Sequence, residues 1–208
     1  MGTDREADAS QRAWCRPLVL QAGYYMLGLF TFAASAAIPT VALNGVGHKI
    51  IEMPLVGLGT WRLGNETVET VTTALKLGYR HLDCALGYGN QHFVGEALAD
   101  SGIPRADVWI TTKIPGGLNA STTLHSAEQS VQELGLDYVD LMLIHYPASW
   151  SKEGGPALRK EEWMALERWA ERGRARALGV SHYCKRHLAD ILSVAKQPIA
   201  LNQVSTSK

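Results

Sequence analysis

The sequence predicts an α/β fold of the TIM (β/α)8-barrel type, on three observations. Short apolar runs alternate with segments of helical periodicity, as parallel βα units do. The run LMLI at 141–144 is apolar throughout, which indicates a strand covered on both faces. Successive runs end in polar or ionisable side chains, and barrel strands bring such ends together at one face. A doubly wound sheet is the alternative, but no G-x-G-x-x-G follows the first strand.

Composition narrows the class of protein. The chain has 208 residues, 46% of them hydrophobic, with 20 basic and 20 acidic side chains. This predicts one substantial globular core and gives no electrostatic reason to expect a nucleic-acid partner. Cys15, Cys84 and Cys184 are too few and too scattered for a disulfide framework, and we expect no metal site.

Residues 1–40 are predicted to be an N-terminal extension. Residues 17–38 carry no charge and are long enough to cross a bilayer as a helix. Arg12 and Arg16 precede this segment, as in a signal peptide, whereas nearby acidic residues and interior glycines argue against one. A signal peptide, a membrane anchor, a disordered extension and a misplaced start codon all remain open.

The first elements of the folded part begin near Val41. Asn44-Gly45 between apolar runs predicts a β-hairpin, because both residues tolerate positive φ. Asn65 is the expected N-cap of a helix that ends at Gly78. The next expected elements are a strand, a short helix and a second strand, at 79–85, 93–98 and 108–113.

The remaining elements continue the alternation. We expect a helix that begins at Ser121, because Leu124, Ala127, Val131 and Leu134 recur with helical spacing. The elements expected after it are a strand at 138–145, a helix at 161–172, a strand at 177–181, a helix at 188–195 and a strand at 199–204.

Polar side chains stand at the ends of five consecutive predicted strands. Any one of them is explained simply by a strand leaving the core. A series that includes aspartate, lysine and histidine instead favours a shared catalytic site. The side chains are Asp83, Lys113, His145, the pair Ser181 and His182, and Gln203.

Six motifs make the prediction specific. In chain order they are GLGTW, GYRHLDCALGYGN, ITTKI, GLDYVDLMLIHYP, GRARALGVSHY and LNQV. Their order and spacing across residues 41–204 closely resemble those of the aldo-keto reductases. The resemblance implies that residues 41–208 form a partial barrel of about six of the family's eight βα units, preceded by a β-hairpin.

The same resemblance implies a catalytic tetrad, which matches Asp83, Tyr88, Lys113 and His145. Tyr88 would be the general acid, although a free phenol has a pKa of about 10. A Lys113 ammonium held by Asp83 would lower that pKa, and His145 would orient the substrate carbonyl. Taken singly, each residue also fits a structural role, such as a turn aromatic or a core histidine.

The resemblance further implies a cofactor and a substrate pocket. The expected cofactor-binding residues are Gly59, Thr60, Trp61, Asp83, Ser181, His182 and Gln203. The expected substrate-binding residues are Trp61, Tyr88, His145 and Tyr146. His182 stands where the family usually has asparagine. NADPH is the expected cofactor, but the family's segment for the adenosine 2′-phosphate has no counterpart here, so NADH is not excluded.

The function implied by the resemblance is NADPH-dependent reduction of an aldehyde or ketone in the cytoplasm. Two alternatives remain open at this point. In the first, the chain is a catalytically impaired homologue with a binding or regulatory role, associated with membranes through residues 17–38. In the second, it is a fragment that does not fold stably.

Overall fold

The computed structural model describes residues 38–149 and 154–204. Within them a six-stranded parallel sheet pairs each strand with the next one along the chain. This is the strand order of a barrel wall, as expected from the alternating pattern. The strands are β3 (Leu58–Gly59), β4 (His81–Asp83), β5 (Trp109–Ile114), β6 (Val139–Ile144), β7 (Ala175–Ser181) and β8 (Ile199–Gln203).

A β-hairpin precedes the sheet, as predicted, but its turn differs from the prediction. Strands β1 (Thr40–Asn44) and β2 (Ile50–Pro54) pair antiparallel with Asn44 opposite Ile50. Gly45 has a φ of −86°, and positive φ falls instead on Gly47 at 69° and His48 at 59°. The expectation of positive φ at Asn44-Gly45 was therefore wrong, because a longer turn of 3-10 type replaces the tight one.

Five α-helices in the described part of the chain cover one face of the sheet, and their ends differ from prediction by a few residues. Asn65 is not the N-cap of the first helix: it lies in a 3-10 turn, Gly64–Glu66, and Thr67 Oγ1 closes that turn by donating to the Gly64 carbonyl at 2.7 Å. Asn119 caps the third helix by accepting from Thr122 N at 2.9 Å. The helices are α1 (Thr67–Lys76), α2 (Gln91–Asp100), α3 (Ala120–Glu133), α4 (Pro156–Trp169) and α5 (Lys185–Leu192).

The central strands β5, β6 and β7 are buried on both faces almost throughout, whereas β3, β4 and β8 are partly exposed. Alternate side chains of a strand point to opposite faces of the sheet. One face packs on the helices through residues such as Ile110, Met142 and Val180. The other face carries Trp109, Leu141, Leu143 and Ala177, which form a second cluster with Leu43 of the hairpin. The hairpin therefore covers part of the inner surface of the sheet.

The apolar segment predicted to reach a membrane lies almost wholly outside the described residues, which exclude its positions 17–37. Among the residues that are described, no helix has both the length and the apolar character needed to cross a bilayer. Membrane association, cytoplasmic location and the boundary between residues 40 and 41 stay predictions.

Candidate active site

The polar strand ends meet at one rim of the sheet. Asp83 and Gln203 end β4 and β8, and Ser181 ends β7. Lys113 is the penultimate residue of β5, and His145 directly follows β6. Because all five strands run parallel, their carboxyl ends bring these side chains to one place.

Lys113 and Asp83 form an ion pair at the centre of this rim. Lys113 is only 2% exposed and also donates to the Cys84 carbonyl at 3.0 Å. The second carboxylate oxygen of Asp83 accepts from Gln203 Nε2 at 2.8 Å. The ammonium thus has an opposite charge and a carbonyl as partners, which is what a buried cation requires.

Tyr88 reaches the same rim from the loop after β4. It ends a 3-10 turn, Leu86–Tyr88, that Gly89 terminates with a φ of 68°. Its ring centroid lies 5.4 Å from Lys113 Nζ and 5.7 Å from the His145 ring. The four residues assigned to the tetrad are therefore neighbours.

The pKa of Tyr88 moves in the opposite direction to the prediction. Burial, followed by the negative charge of Asp83, raises it from 10.0 to about 12. The expectation that Lys113 would lower this pKa was wrong in this structure, because burial, the largest cause, favours the neutral phenol. Tyr88 consequently keeps its proton at neutral pH.

His145 is also neutral at physiological pH. Burial, followed by the positive charge of Lys113, lowers its pKa from 6.5 to about 4. A neutral imidazole has one N–H donor and one acceptor nitrogen. His145 is therefore suited to hydrogen bonding with an oxygen atom near Tyr88.

The loop after β3 lies on the other side of Tyr88. Thr60 is fully buried and its N–H donates to the Asp83 carbonyl at 3.0 Å, directly after Gly59 at the end of β3. Trp61 is 56% exposed and its ring centroid lies 4.8 Å from that of Tyr88. The three residues predicted from GLGTW therefore border the tetrad.

The sequence prediction missed Asn90, which holds this loop in place. Its buried Nδ2 donates to the Thr60 carbonyl at 2.8 Å and to Thr67 Oγ1 at 3.0 Å. Asn90 lies two positions after Tyr88 in the quoted motif, but no spacing rule links it to a residue 30 positions earlier. Its partners became evident only in the folded chain.

Ser181, His182 and Gln203 form the far side of the rim. Ser181 Oγ and the His182 N–H both donate to the Gln203 carbonyl, at 2.9 Å and 3.0 Å. His182 has a φ of 58°. The side-chain oxygen of Gln203 is buried and accepts no hydrogen bond from any described residue.

A cavity of about 340 Å³ reaches Asp83 alone among the tetrad. Two others, formed by described residues, are each lined by two or more of the tetrad. One, of about 300 Å³, is lined by Trp61, Gly87, Tyr88, His145, Tyr146 and His182. The other, of about 200 Å³, is lined by Asp83, Tyr88, Lys113, His145, Ser181, His182, Gln203 and Val204. Only Gly87 and Val204 of these lining residues were absent from the predicted site. In residues 38–149 and 154–204, no group of three or more His, Cys, Asp or Glu could hold a metal ion.

The sequence matches the Aldo/keto reductase family over residues 55–208. The chain belongs to the aldo-keto reductase family. The 9,11-endoperoxide prostaglandin H2 reductase of Trypanosoma cruzi is 39% identical over 160 residues, which are 76% of this chain and 54% of that protein.

Solved aldo-keto reductases share the fold. The crystal structure of an aldo/keto reductase from Brucella melitensis superposes with a TM-score of 0.73 at 38% identity, covering 81% of this chain and 63% of that one. A Bombyx mori aldo-keto reductase in complex with NADP superposes with a TM-score of 0.70 at 28% identity, covering 81% of this chain and 58% of that one. The chain spans a little over half the length of the curated aldo-keto reductases it matches, 54% and 59% in two cases.

Proposed function

We propose that this protein reduces the carbonyl group of an aldehyde or ketone with NADPH. The observation that carries the proposal is the convergence of Tyr88, Lys113, Asp83 and His145 beside two adjoining cavities. Carbonyl reduction requires a hydride at carbon and a proton at oxygen. The tetrad offers a proton donor, a fixed positive charge and a neutral hydrogen-bonding group within one rim.

Each residue has a role that follows from its environment. Tyr88 holds its proton at neutral pH and is the group that delivers it to the oxygen. The Lys113 ammonium, fixed by Asp83, favours negative charge as it develops on that oxygen. His145 orients the carbonyl oxygen through its N–H, because its lowered pKa keeps the ring neutral.

The residues of the smaller cavity fit a nicotinamide. NADPH supplies the hydride when it is bound. The buried, unpartnered oxygen of Gln203 is an acceptor for the carboxamide N–H, and Ser181 and His182 border the same cavity. Gly59, Thr60 and Trp61 lie nearby, in contact with Asp83 and Tyr88 of the same cavity. A structural relative in complex with NADP supports NADPH as the cofactor, and NADH is the alternative.

Oxidation of NADPH in the presence of a reactive aldehyde tests the proposal. Tyr88→Phe removes the hydroxyl group and should lower kcat by roughly 100-fold or more, because the proton donor is lost. Tyr79→Phe makes the same change at an exposed tyrosine that lines neither cavity, and should leave kcat unchanged. Absence of turnover by the folded wild-type protein, or equal rates for the two variants, would contradict the proposed function.

A further inference from the structure

The cavity of about 300 Å³ beside Tyr88 and His145 has walls made almost wholly of aromatic and imidazole rings. Five of its six lining residues carry a ring, and the sixth is Gly87. Ring contacts run continuously around the cavity from Trp61 through Tyr88 to His145, with centroids 4.8 Å and 5.7 Å apart. No carboxylate or amide side chain lines it, so its hydrogen-bonding groups are those at the edges of the rings.

One wall of this cavity is a stack of nearly parallel rings. The centroids of His145 and Tyr146 are 4.5 Å apart with ring planes 18° apart. Those of Tyr146 and His182 are 4.8 Å apart with planes 7° apart. Such a stack presents flat π surfaces, which bind best to another flat ring.

The backbone fixes the position of His182 in this stack. Its φ of 58° lies in the left-handed region, which histidine and asparagine tolerate better than most residues. The N–H of His182 donates to the Gln203 carbonyl, and Asn202 Nδ2 donates to the carbonyl of the next residue, Tyr183, at 2.8 Å. His182 lines both cavities, as Tyr88 and His145 do, so it lies at the boundary between them.

We propose that His182 and Tyr146 are specificity-determining residues, and that their stacked rings select carbonyl substrates with an aromatic ring near the reacting carbon. The inference deepens the proposed function, since it rests on that function for the reaction at the carbonyl. The recognition itself depends only on the cavity. An aliphatic substrate of equal size would fill the space without gaining the ring-to-ring contact.

The test compares phenylacetaldehyde with cyclohexylacetaldehyde, which differ in planarity and whose carbonyl groups are both unconjugated. The wild-type protein should have a KM for the aromatic aldehyde lower by roughly 3- to 10-fold, the range expected for one aromatic contact. His182→Asn keeps the left-handed backbone and removes the ring, and Tyr146→Leu removes the ring beneath it. Each variant should bring the ratio of the two KM values close to one.

Controls separate specificity from folding and from cofactor binding. Tyr79→Leu makes the same change as Tyr146→Leu outside the cavity and should keep the wild-type ratio. Cooperative thermal unfolding and NADPH affinity from fluorescence titration are measured for every variant. A ratio that stays at the wild-type value in both His182→Asn and Tyr146→Leu would overturn the inference, as would a wild-type preference for the saturated ring or for an aldose.

A binding measurement distinguishes failure of this inference from failure of the proposed function. The unreactive amides phenylacetamide and cyclohexylacetamide are titrated into the full chain with NADPH and followed by nuclear magnetic resonance. Tighter binding of the aromatic amide that His182→Asn abolishes would support the inference even without turnover. Equal binding of the two amides to the wild-type protein would overturn it, whatever the activity.

Discussion

Lys113 on β5 forms an ion pair with Asp83 on β4, and Lys113 is only 2% exposed. The pair joins adjacent strands at the rim where the proposed chemistry takes place. Asp83 also accepts from Gln203 on β8, so one carboxylate links the second and the sixth strands of the sheet. A change at Asp83 therefore affects both the stability and the geometry of the site.

We expect Asp83→Ala to lower the free energy of unfolding by about 3 kcal/mol or more, because it leaves a buried ammonium without an opposite charge. The double variant Asp83→Ala/Lys113→Met removes both charges and should recover much of this loss. Urea denaturation of the two single variants and the double variant measures the coupling. A loss below about 1 kcal/mol for Asp83→Ala, or additive losses in the double variant, would show that the pair contributes little.

Glu162 on α4 should make stability depend on pH. The side chain is fully buried, and burial raises its pKa from 4.5 to about 8. The folded protein therefore holds a proton that the unfolded chain releases between these values, so stability falls as pH rises from 4.5 to about 8.

Glu162→Gln should remove this dependence, since a neutral amide keeps an oxygen for the Gly117 N–H now donated at 3.4 Å. The difference in free energy of unfolding between the variant and the wild type should rise in favour of the variant, by on the order of 2–4 kcal/mol from about pH 5 to about pH 9. Thermal melts across this range measure the gain. Glu161→Gln, at the adjacent exposed position, is the control. The prediction fails if the two variants respond to pH alike.

Gly116 is expected to tolerate no larger side chain. A Cβ at this position would lie 1.7 Å from the carbonyl oxygen of Tyr146, a backbone atom that cannot rotate away. Gly116→Ala should therefore cost roughly 1–3 kcal/mol of stability and displace Tyr146 from the ring stack. Denaturation together with KM values for the two aldehydes checks both effects. Gly87→Ala, whose Cβ would meet nothing within 4 Å, should be close to neutral in stability.

Local pattern was sufficient to predict the order of strands and helices. The apolar run at β6 and the helical spacing in α3 follow directly from burial on two faces and on one face. Helix ends were less predictable. Glu66 rather than Asn65 is the N-cap of α1, because Asn65 lies within a preceding 3-10 turn.

The site followed from the strand ends and the motifs, but its electrostatics did not. Asp83, Lys113, His145, Ser181 and Gln203 each end or adjoin a parallel strand, so chain order alone indicated that they would meet. The raised pKa of Tyr88 depends on how deeply the ring is buried and on how near the Asp83 carboxylate lies. Neither quantity can be read from residue types.

By itself the sequence determined the parallel α/β architecture and the family, and it predicted the four residues that meet at the rim, because periodicity and motif spacing are local properties of the chain. Only the tertiary structure decided that Asn90 holds the Trp61 loop, that Gly116 touches the Tyr146 backbone and that His182 stacks on Tyr146. These contacts join residues from different βα units, and their distances are set by the packing of the whole sheet rather than by any local preference.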